Sequence, residues 1–505
     1  MKGRWQGEAR AATGVAGLDD ILSGGLTRGH MYLVEGEPGA GKTTLALQFL
    51  MDGARNGEPV LYVSLSESAQ ELLFGAYSHG WDLEGVEVME LNNIDLTHDA
   101  DSAYTVFDPA DVELDDMLRS LREHVERIKP KRIVIDSLSE VRLLARDPLR
   151  FRREVLVLKQ YFLQHETTVL LLDDCFGTSN DVQIQSLVHG VLRLERLANQ
   201  FGAERRRLMV LKLRGSRFRG GFHDYRIETG GLVVFPRLVA AEHRVQALPG
   251  KVLSGVGNLD ELLGGGIDTG TSSIILGPAG SGKTSIATMY ALAAARSGDN
   301  AAIFLFDENI GTLLTRCRAL GMSIDAAVED GSLLLRQIDP AEMSIGEFVE
   351  HVRRLTHEGV KLIVVDSLIG LLNAMPEERM LMSQLHEMLS YLHQMGVTTI
   401  MTMAQHGLVG HMASQADLSY LADTLILLRF FEAAGEVRQA ISVLKKRTGQ
   451  HERTIREVRV APGGVQVGPP LADFHGVLTG VPNYIGVREP LLQRERDERS
   501  EPQHA

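Results

Sequence analysis

The chain has 505 residues, 44% hydrophobic and 23% charged, with a formal net charge of −14. That balance describes globular domains and excludes a disordered or collagen-like chain, and the length suits two domains of ordinary to large size. No apolar run is long enough to span a bilayer, and the acidic surplus argues against a constitutive nucleic-acid coat.

The first residues, Met1 to Gln6, lack a signal-peptide apolar core, so a cytoplasmic location without membrane attachment is expected. The two cysteines, Cys175 and Cys317, form neither a metal spacing nor a disulfide framework, which fits a reducing compartment. Next along the chain, Thr13–Gly29 (T-G-V-x-G-L-D-D) is repeated at Ser254–Gly270 (S-G-V-x-N-L-D-E), 241 positions later. A period of domain size marks a duplication, not a solenoid.

An apolar strand over Met31–Val34 then leads into Gly36–Thr43, and one over Ile274–Leu276 leads into Gly277–Thr284. Both loops match G-x-x-x-x-G-K-T, and a helix-like run follows each. Gly36, Gly39 and Gly41, with Gly277, Gly280 and Gly282, let backbone N–H groups converge on phosphate oxygens at a helix start. Lys42 and Lys283 are expected on the β/γ-phosphates of ATP, with Thr44 and Ser285 next to the nucleotide. Thr43 and Thr284 are expected on Mg²⁺.

A second strand follows in each half, Pro59–Ser64 and Ala301–Phe306. Just beyond it stand Ser66 and Glu67 in one half, Asp307 and Glu308 in the other. A carboxylate beside the γ-phosphate can polarise an attacking water or hydroxyl, so Glu67, Asp307 and Glu308 are catalytic candidates; a helix-start acid is the alternative reading. The strands Arg132–Asp136 and Lys361–Asp366 both end in Asp-Ser. Open α/β sheets bind ligands at that end, which makes Asp136 and Asp366 the natural Mg²⁺ partners. Further strands, Thr168–Asp174 and Thr399–His406, end in polar residues suited to sensing a phosphate. Late in each half come Lys212 and Arg214, then Lys445 and Arg447, each pair on one face of a strand. Their distance along the chain from their own loop fits a reach to the γ-phosphate of a neighbouring subunit. A solvated sheet edge is the alternative.

In combination these motifs resemble the KaiC family of RecA-like ATPases. The resemblance rests on T/S-G-V-x-x-L-D, the paired G-x-x-x-x-G-K-T, the acids after the second strand, the I-D-S-L and V-D-S-L strand ends and the K-x-R elements. It covers roughly Gly14–Phe235 and Gly255–Gly468. It implies an α/β fold of two tandem RecA-like P-loop NTPase domains, each a mainly parallel twisted sheet flanked by helices. It implies ATP at the subunit interfaces of a homo-hexameric double ring, slow hydrolysis, regulatory protein partners and, in clock members, serine/threonine autophosphorylation. Ser419 matches the acceptor serine, whereas Tyr420 stands where clock members carry threonine, so only a single-site reaction carries over. Ser66 leaves the first half with one acid of its pair. The loop at Lys283 is therefore the expected phosphotransfer site, and the loop at Lys42 the expected site of assembly and slow hydrolysis.

Domain boundaries are expected at 1–242 and 254–487, with a linker at 243–253 and a charged, disordered tail at 488–505. Two other functions fit the same loops: a nucleic-acid-dependent RecA-like motor, and a scaffold that nucleotide holds together with little turnover. Arg205, Arg206 and Arg207 read as a solvated loop or subunit contact. Met375, Met380, Met382, Met388, Met395, Met401 and Met403 read as packing residues, as do His386 and His393.

Overall fold

The structure is a computed structural model. It describes residues 9–91, 109–174, 181–197, 202–243, 249–373, 381–405, 419–433, 435–479 and 483–485. Cys175, Met375, Met380, His406 and the expected tail lie outside the described residues, and so does the side chain of Ser419. The chain divides into two compact units. One gathers Met1–Val239, Pro340–Arg354 and Glu378–Gln384; the other gathers Ala240–Asp339, Leu355–Glu377 and Leu385–Ala505.

In the first unit the main elements run in order as follows: β1 Met31–Gly36, α1 Lys42–Arg55, β2 Val60–Ser64, α2 Ala69–Ser78, β3 Val86–Glu90, α3 Pro109–Ile128 and β4 Arg132–Asp136. Then come α4 Leu138–Ala145, α5 Pro148–Gln164, β5 Thr168–Asp174, α6 Asp181–Leu187, β6 Gly190–Leu197, β7 Arg205–Leu213, β8 Phe222–Glu228 and β9 Gly231–Phe235. The strands form one nine-stranded sheet in the order β9-β8-β7-β6-β1-β5-β4-β2-β3. Pairing from β6 through β3 is parallel, while β7, β8 and β9 join antiparallel.

The sequence explains why the parallel part is central. Every residue of β1 is buried, as befits a strand covered on both faces. Its side chains alternate between two cores. Tyr32 and Val34 pack with Leu45 and Phe49 of α1, and Met31 and Leu33 pack with Phe151 and Val155 of α5.

The second unit repeats the plan. The later part of the chain carries β10 Ser272–Gly277, α7 Lys283–Arg296, β11 Asn300–Leu305, α8 Ile310–Ala319, α9 Ile324–Glu329, β12 Leu333–Gln337, α10 Ile345–His357 and β13 Val360–Asp366, of which Ile345 to Arg354, like Leu381 to Gln384 further on, group with the first unit. They continue with α11 Leu368–Asn373, α12 Leu381–Gln394, β14 Thr398–Ala404, β15 Thr424–Ala433, β16 Glu436–Lys446, β17 Arg456–Ala461 and β18 Gly464–Pro470. The sheet order, β12-β11-β13-β14-β10-β15-β16-β17-β18, matches that of the first unit position for position. The fold class is thus α/β with two RecA-like sheets. Met388, Met401 and Met403 are buried in the core, and the His393 ring sits 2.7 Å from the Gly270 carbonyl.

The three arginines depart from the expectation of a loop. Arg205, Arg206 and Arg207 open β7 and pair with β6. Arg207 is bonded to Glu195 and lies 3.9 Å over the Phe222 ring. A run of cations reads as loop by composition, but here the three stems belong to a strand, with Arg206 paired to Glu204, Arg207 to Glu195, and Arg205 donating to the Pro340 carbonyl. Among the described residues, no helix is long and apolar enough to cross a membrane.

One buried charge ties the first unit together. Arg132, at the start of β4, is 1% exposed. Its guanidinium donates to the Ala12 and Phe49 carbonyls at 2.8 Å, bonds Glu58 at 2.6 Å and faces Asp52 at 3.0 Å. It also lies 4.9 Å from the centre of the Phe49 ring. A buried cation held by two carboxylates and two carbonyls is expensive to break from one side. Substituting Arg132→Ala is therefore expected to destabilise the unit by about 3 kcal/mol, read as a fall in the urea midpoint.

Candidate functional site

Both phosphate loops begin at the C-terminal end of the central strand and end on a left-handed glycine. Gly41 (φ 95°) and Gly282 (φ 88°) take the N-cap positions of α1 and α7. A side chain there would be strained, and its Cβ would fall 2.6 Å from Ile227 or 2.7 Å from Val460. No side chain caps either helix. The first-turn N–H groups therefore point into the loop with the positive end of the helix dipole behind them.

The loop lysines are buried and point back across the loop. Lys42 Nζ donates to the Gly36 carbonyl (2.7 Å), the Glu37 carbonyl (3.1 Å) and Asp174 Oδ1 (2.8 Å). Lys283 Nζ donates to the Pro278 carbonyl at 2.7 Å, and burial pulls its ammonium below the usual lysine range. The two lysines differ because Asp174 ends β5 beside Gly36, whereas Ala404 fills the matching place beside Gly277.

Each Asp-Ser strand end lies next to its loop, and both Asp–Ser peptide bonds are cis. Asp136 Oδ2 accepts from Thr43 Oγ1 at 3.1 Å and from the Tyr62 hydroxyl at 2.5 Å. Burial pushes the Asp136 carboxyl above its ordinary range, while the Tyr62 and Thr43 hydrogen bonds and the Lys42 charge oppose the rise. Asp366 instead accepts from the Thr402 hydroxyl. Each carboxylate is thus fixed by a hydroxyl from an adjoining strand, β2 in one unit and β14 in the other. Neither Tyr62 nor Thr402 carries a motif in the sequence. Their roles come from strand order, which only the fold supplies.

A hydroxyl and a carboxylate converging beside a phosphate loop form an all-oxygen donor set that suits Mg²⁺. Among the described residues no group of three or more His, Cys, Asp or Glu side chains gathers to hold a metal. An ion here would therefore share its coordination with nucleotide phosphates.

The acids after the second strand are placed differently in the two units. The Glu67 carboxylate has no hydrogen-bond or ion-pair partner among the described residues. Burial, then the nearby Asp136 and Glu71 carboxylates, raise its pKa. Asp307 accepts from the Ser367 hydroxyl. Glu308 is held by both arms of Arg316, at 2.7 and 2.8 Å. The position matching Arg316 in the first unit is Gly75.

Lys212 and Arg214 lie away from the loop end of their sheet. Lys212 pairs with Val191, which pairs with Leu33, and the Arg214 amide donates to the His189 carbonyl. Arg214 thus lies level with the start of β1, roughly 15 Å from the Gly36 end at about 3.3 Å per residue. Lys212 Nζ donates to the Gln185 and Val188 carbonyls, and Arg214 donates to that of Ser186. Arg214 and Lys159 also line a concavity of about 210 Å³ that contains His30 and His189. Burial first, and then the neighbouring cations, lower the Lys159 and Lys212 ammonium groups. Burial lowers the His189 imidazole to about 4, with His30 adding. In the second unit Lys445 donates to the Ala422 carbonyl, and Arg447 donates to the Tyr420 carbonyl and faces Asp423 at 3.5 Å. Lys445 pairs with Leu425, level with Ile274, again away from the loop end of the strand.

The family model of the KaiC ATPase matches this chain twice, over residues 11–239 and 252–472. The chain belongs to the KaiC family of ATPases. Among curated KaiC proteins, the circadian clock oscillator protein KaiC of Picosynechococcus sp. is 26% identical over 495 residues, covering 96% of this chain and 95% of that protein. The same protein of Acaryochloris marina is 26% identical over 484 residues, covering 94% and 92%. The circadian clock oscillator protein KaiC 1 of Synechocystis sp. is 25% identical over 491 residues, covering 96% and 94%.

The Lys42–Asp174 pair gives a site-specific expectation for this KaiC-family chain. Lys42 has to turn from Asp174 to meet a phosphate, and the carboxylate repels that phosphate. Substituting Asp174→Asn is expected to tighten ATP binding at the first loop about threefold, the scale of a partly exposed ion pair. Titration with a fluorescent ATP analogue in a Lys283→Ala background measures it, and weakened binding would show that Asp174 instead positions the lysine.

Proposed function

We propose that this KaiC-family chain is a Mg²⁺-dependent ATPase that forms a homo-hexameric ring, with ATP held between subunits. One observation carries the reading: in both units the loop and strand-end carboxylate occupy one end of the sheet, while Lys212 and Arg214, or Lys445 and Arg447, lie back along the strands away from that end. A subunit would then hold ATP on its own loop and receive its two cations from a neighbour. Gly36, Gly39, Gly41, Lys42, Thr43 and Thr44 would cradle the nucleotide in the first unit. Gly277, Gly280, Gly282, Lys283, Thr284 and Ser285 would do so in the second. Thr43 with Asp136, and Thr284 with Asp366, would hold Mg²⁺, which neutralises phosphate charge when bound.

In the chemical step Glu67 or Glu308 takes a proton from water as the water oxygen attacks the γ-phosphorus and the bond to the ADP oxygen breaks. The trans cations stabilise charge on the transferring group. In the second unit the same chemistry, with Asp307 or Glu308 as base, can deliver the phosphoryl group to Ser419. The neighbouring Tyr420 carbonyl is already bonded to Arg447, which supports a link between the acceptor segment and the cation pair. The relatives are named circadian clock oscillator proteins, which supports a regulatory role; regulatory protein partners and a cytoplasmic location belong to the same proposal. The net charge of −14 disfavours a nucleic-acid motor.

Incubating the purified protein with Mg-ATP and measuring both ADP and intact mass tests hydrolysis and phosphotransfer together. The Glu67→Gln/Glu308→Gln double variant is expected to lose turnover by about 100-fold, the lower range for a general base, while still binding ATP. Unchanged turnover would overturn the base assignment. A wild-type protein that gains no phosphate at Ser419 would remove the autokinase and leave the ATPase.

A further inference from the structure

Glu67 and Glu308 occupy matching places. Each follows the second strand and stands just ahead of a helix, with Ser68 capping α2 and Asn309 capping α8. The eighth residue onward is Gly75 in one unit and Arg316 in the other. That difference alters the carboxylate directly. Arg316 reaches back two turns along α8 and closes a two-armed ion pair on Glu308, with both partners substantially shielded (33% and 19% exposed). The guanidinium fork matches a carboxylate in geometry as well as charge, so it fixes direction too. A carboxylate held in this way has one lone pair on each oxygen engaged and its charge partly neutralised, so it is a weaker and less freely oriented base toward a water. Glu67 faces no such fork.

We infer that Arg316 is a positioning residue that latches Glu308 away from the nucleophile, so that the second site turns over more slowly than its residue set would allow. The inference rests on the reading of Glu308 as a base. The latch makes the second site conditional: any state of the chain or its ligand that draws Arg316 off Glu308 arms the base, and any that restores the pair disarms it. It also reverses the ranking that residue identity suggests, since the unit with the fuller acidic pair is the one whose glutamate is held.

The geometry allows a test in both directions. In a Glu67→Gln background, which silences the first site, Arg316→Ala is expected to raise kcat for ATP about two- to fivefold with KM unchanged. That factor is what a partly shielded ion pair shifts in an equilibrium. Arg316→Lys keeps the charge but loses the fork and should fall between wild type and alanine. Adding Glu308→Gln should abolish the gain, because the latch acts only through that carboxylate. Conversely, a Cβ at Gly75 would meet nothing within 4 Å. Gly75→Arg therefore fits on α2 and is expected to slow first-site turnover, measured with Glu308→Gln, by a similar factor. If Glu67→Gln/Glu308→Gln retains full turnover, the base reading fails and the latch with it. If that pair is inactive but neither Arg316→Ala nor Gly75→Arg changes kcat, the latch alone is overturned. A change confined to KM would assign Arg316 to binding and likewise overturn it.

Discussion

A parallel sheet has two unlike ends, and the function proposed for this chain depends on that polarity. Where β1 and β10 end, a glycine-rich loop turns into a helix whose free N–H groups face outward. Strand-end carboxylates gather at the same edge because their strands run the same way. The antiparallel strands β7 and β16 run back along the sheet and carry Lys212 and Lys445, and beyond them Arg214 and Arg447, away from the loop end. Cations and phosphate loop are thus held apart along the strands of one sheet. On the proposed function, a chain built this way would complete its sites by meeting another copy of itself.

The duplicated plan makes the differences between units informative. Backbone topology is shared to the last strand, so chemical differences trace to single side chains. Asp174 holds the first loop lysine where Ala404 leaves the second to a carbonyl. Tyr62 steadies Asp136 from one flanking strand, and Thr402 steadies Asp366 from the other. Arg316 holds Glu308 where Gly75 leaves Glu67 open. Each change touches the loop lysine, the strand-end carboxylate or the following acid, and the strand order is the same in both units.

Much of this was legible in the sequence because the relevant signals are local. A G-x-x-x-x-G-K-T loop requires its residues to be consecutive, and an apolar run ending in Asp-Ser declares a buried strand and its open end together. The 241-residue period doubled each signal. What could not be read depends on which strands become neighbours. Tyr62 reaches Asp136 because β2 lies beside β4, and Lys42 meets Asp174 because β5 lies beside β1. The Arg316–Glu308 contact spans eight residues, and helix geometry could have flagged it, but only once the start of α8 was fixed at Asn309. Arg205, Arg206 and Arg207 misled for the opposite reason: their charge suggested a loop, and their stems belong to a strand.

The central claim is that each ATP site is shared between two copies of the chain. Mixing two variants tests it most directly, with Glu308→Gln in both to silence the second site. One adds Lys42→Ala and so lacks a working first loop; the other adds Lys212→Ala/Arg214→Ala and lacks the cations. Each alone is expected to be inactive at the first site. After dissociation and reassembly together, mixed rings should regain a fraction of first-site ATP turnover, because intact loops then meet intact cations. Mixed rings that form yet remain inactive, or a cation-free variant that hydrolyses ATP normally by itself, would contradict the shared site.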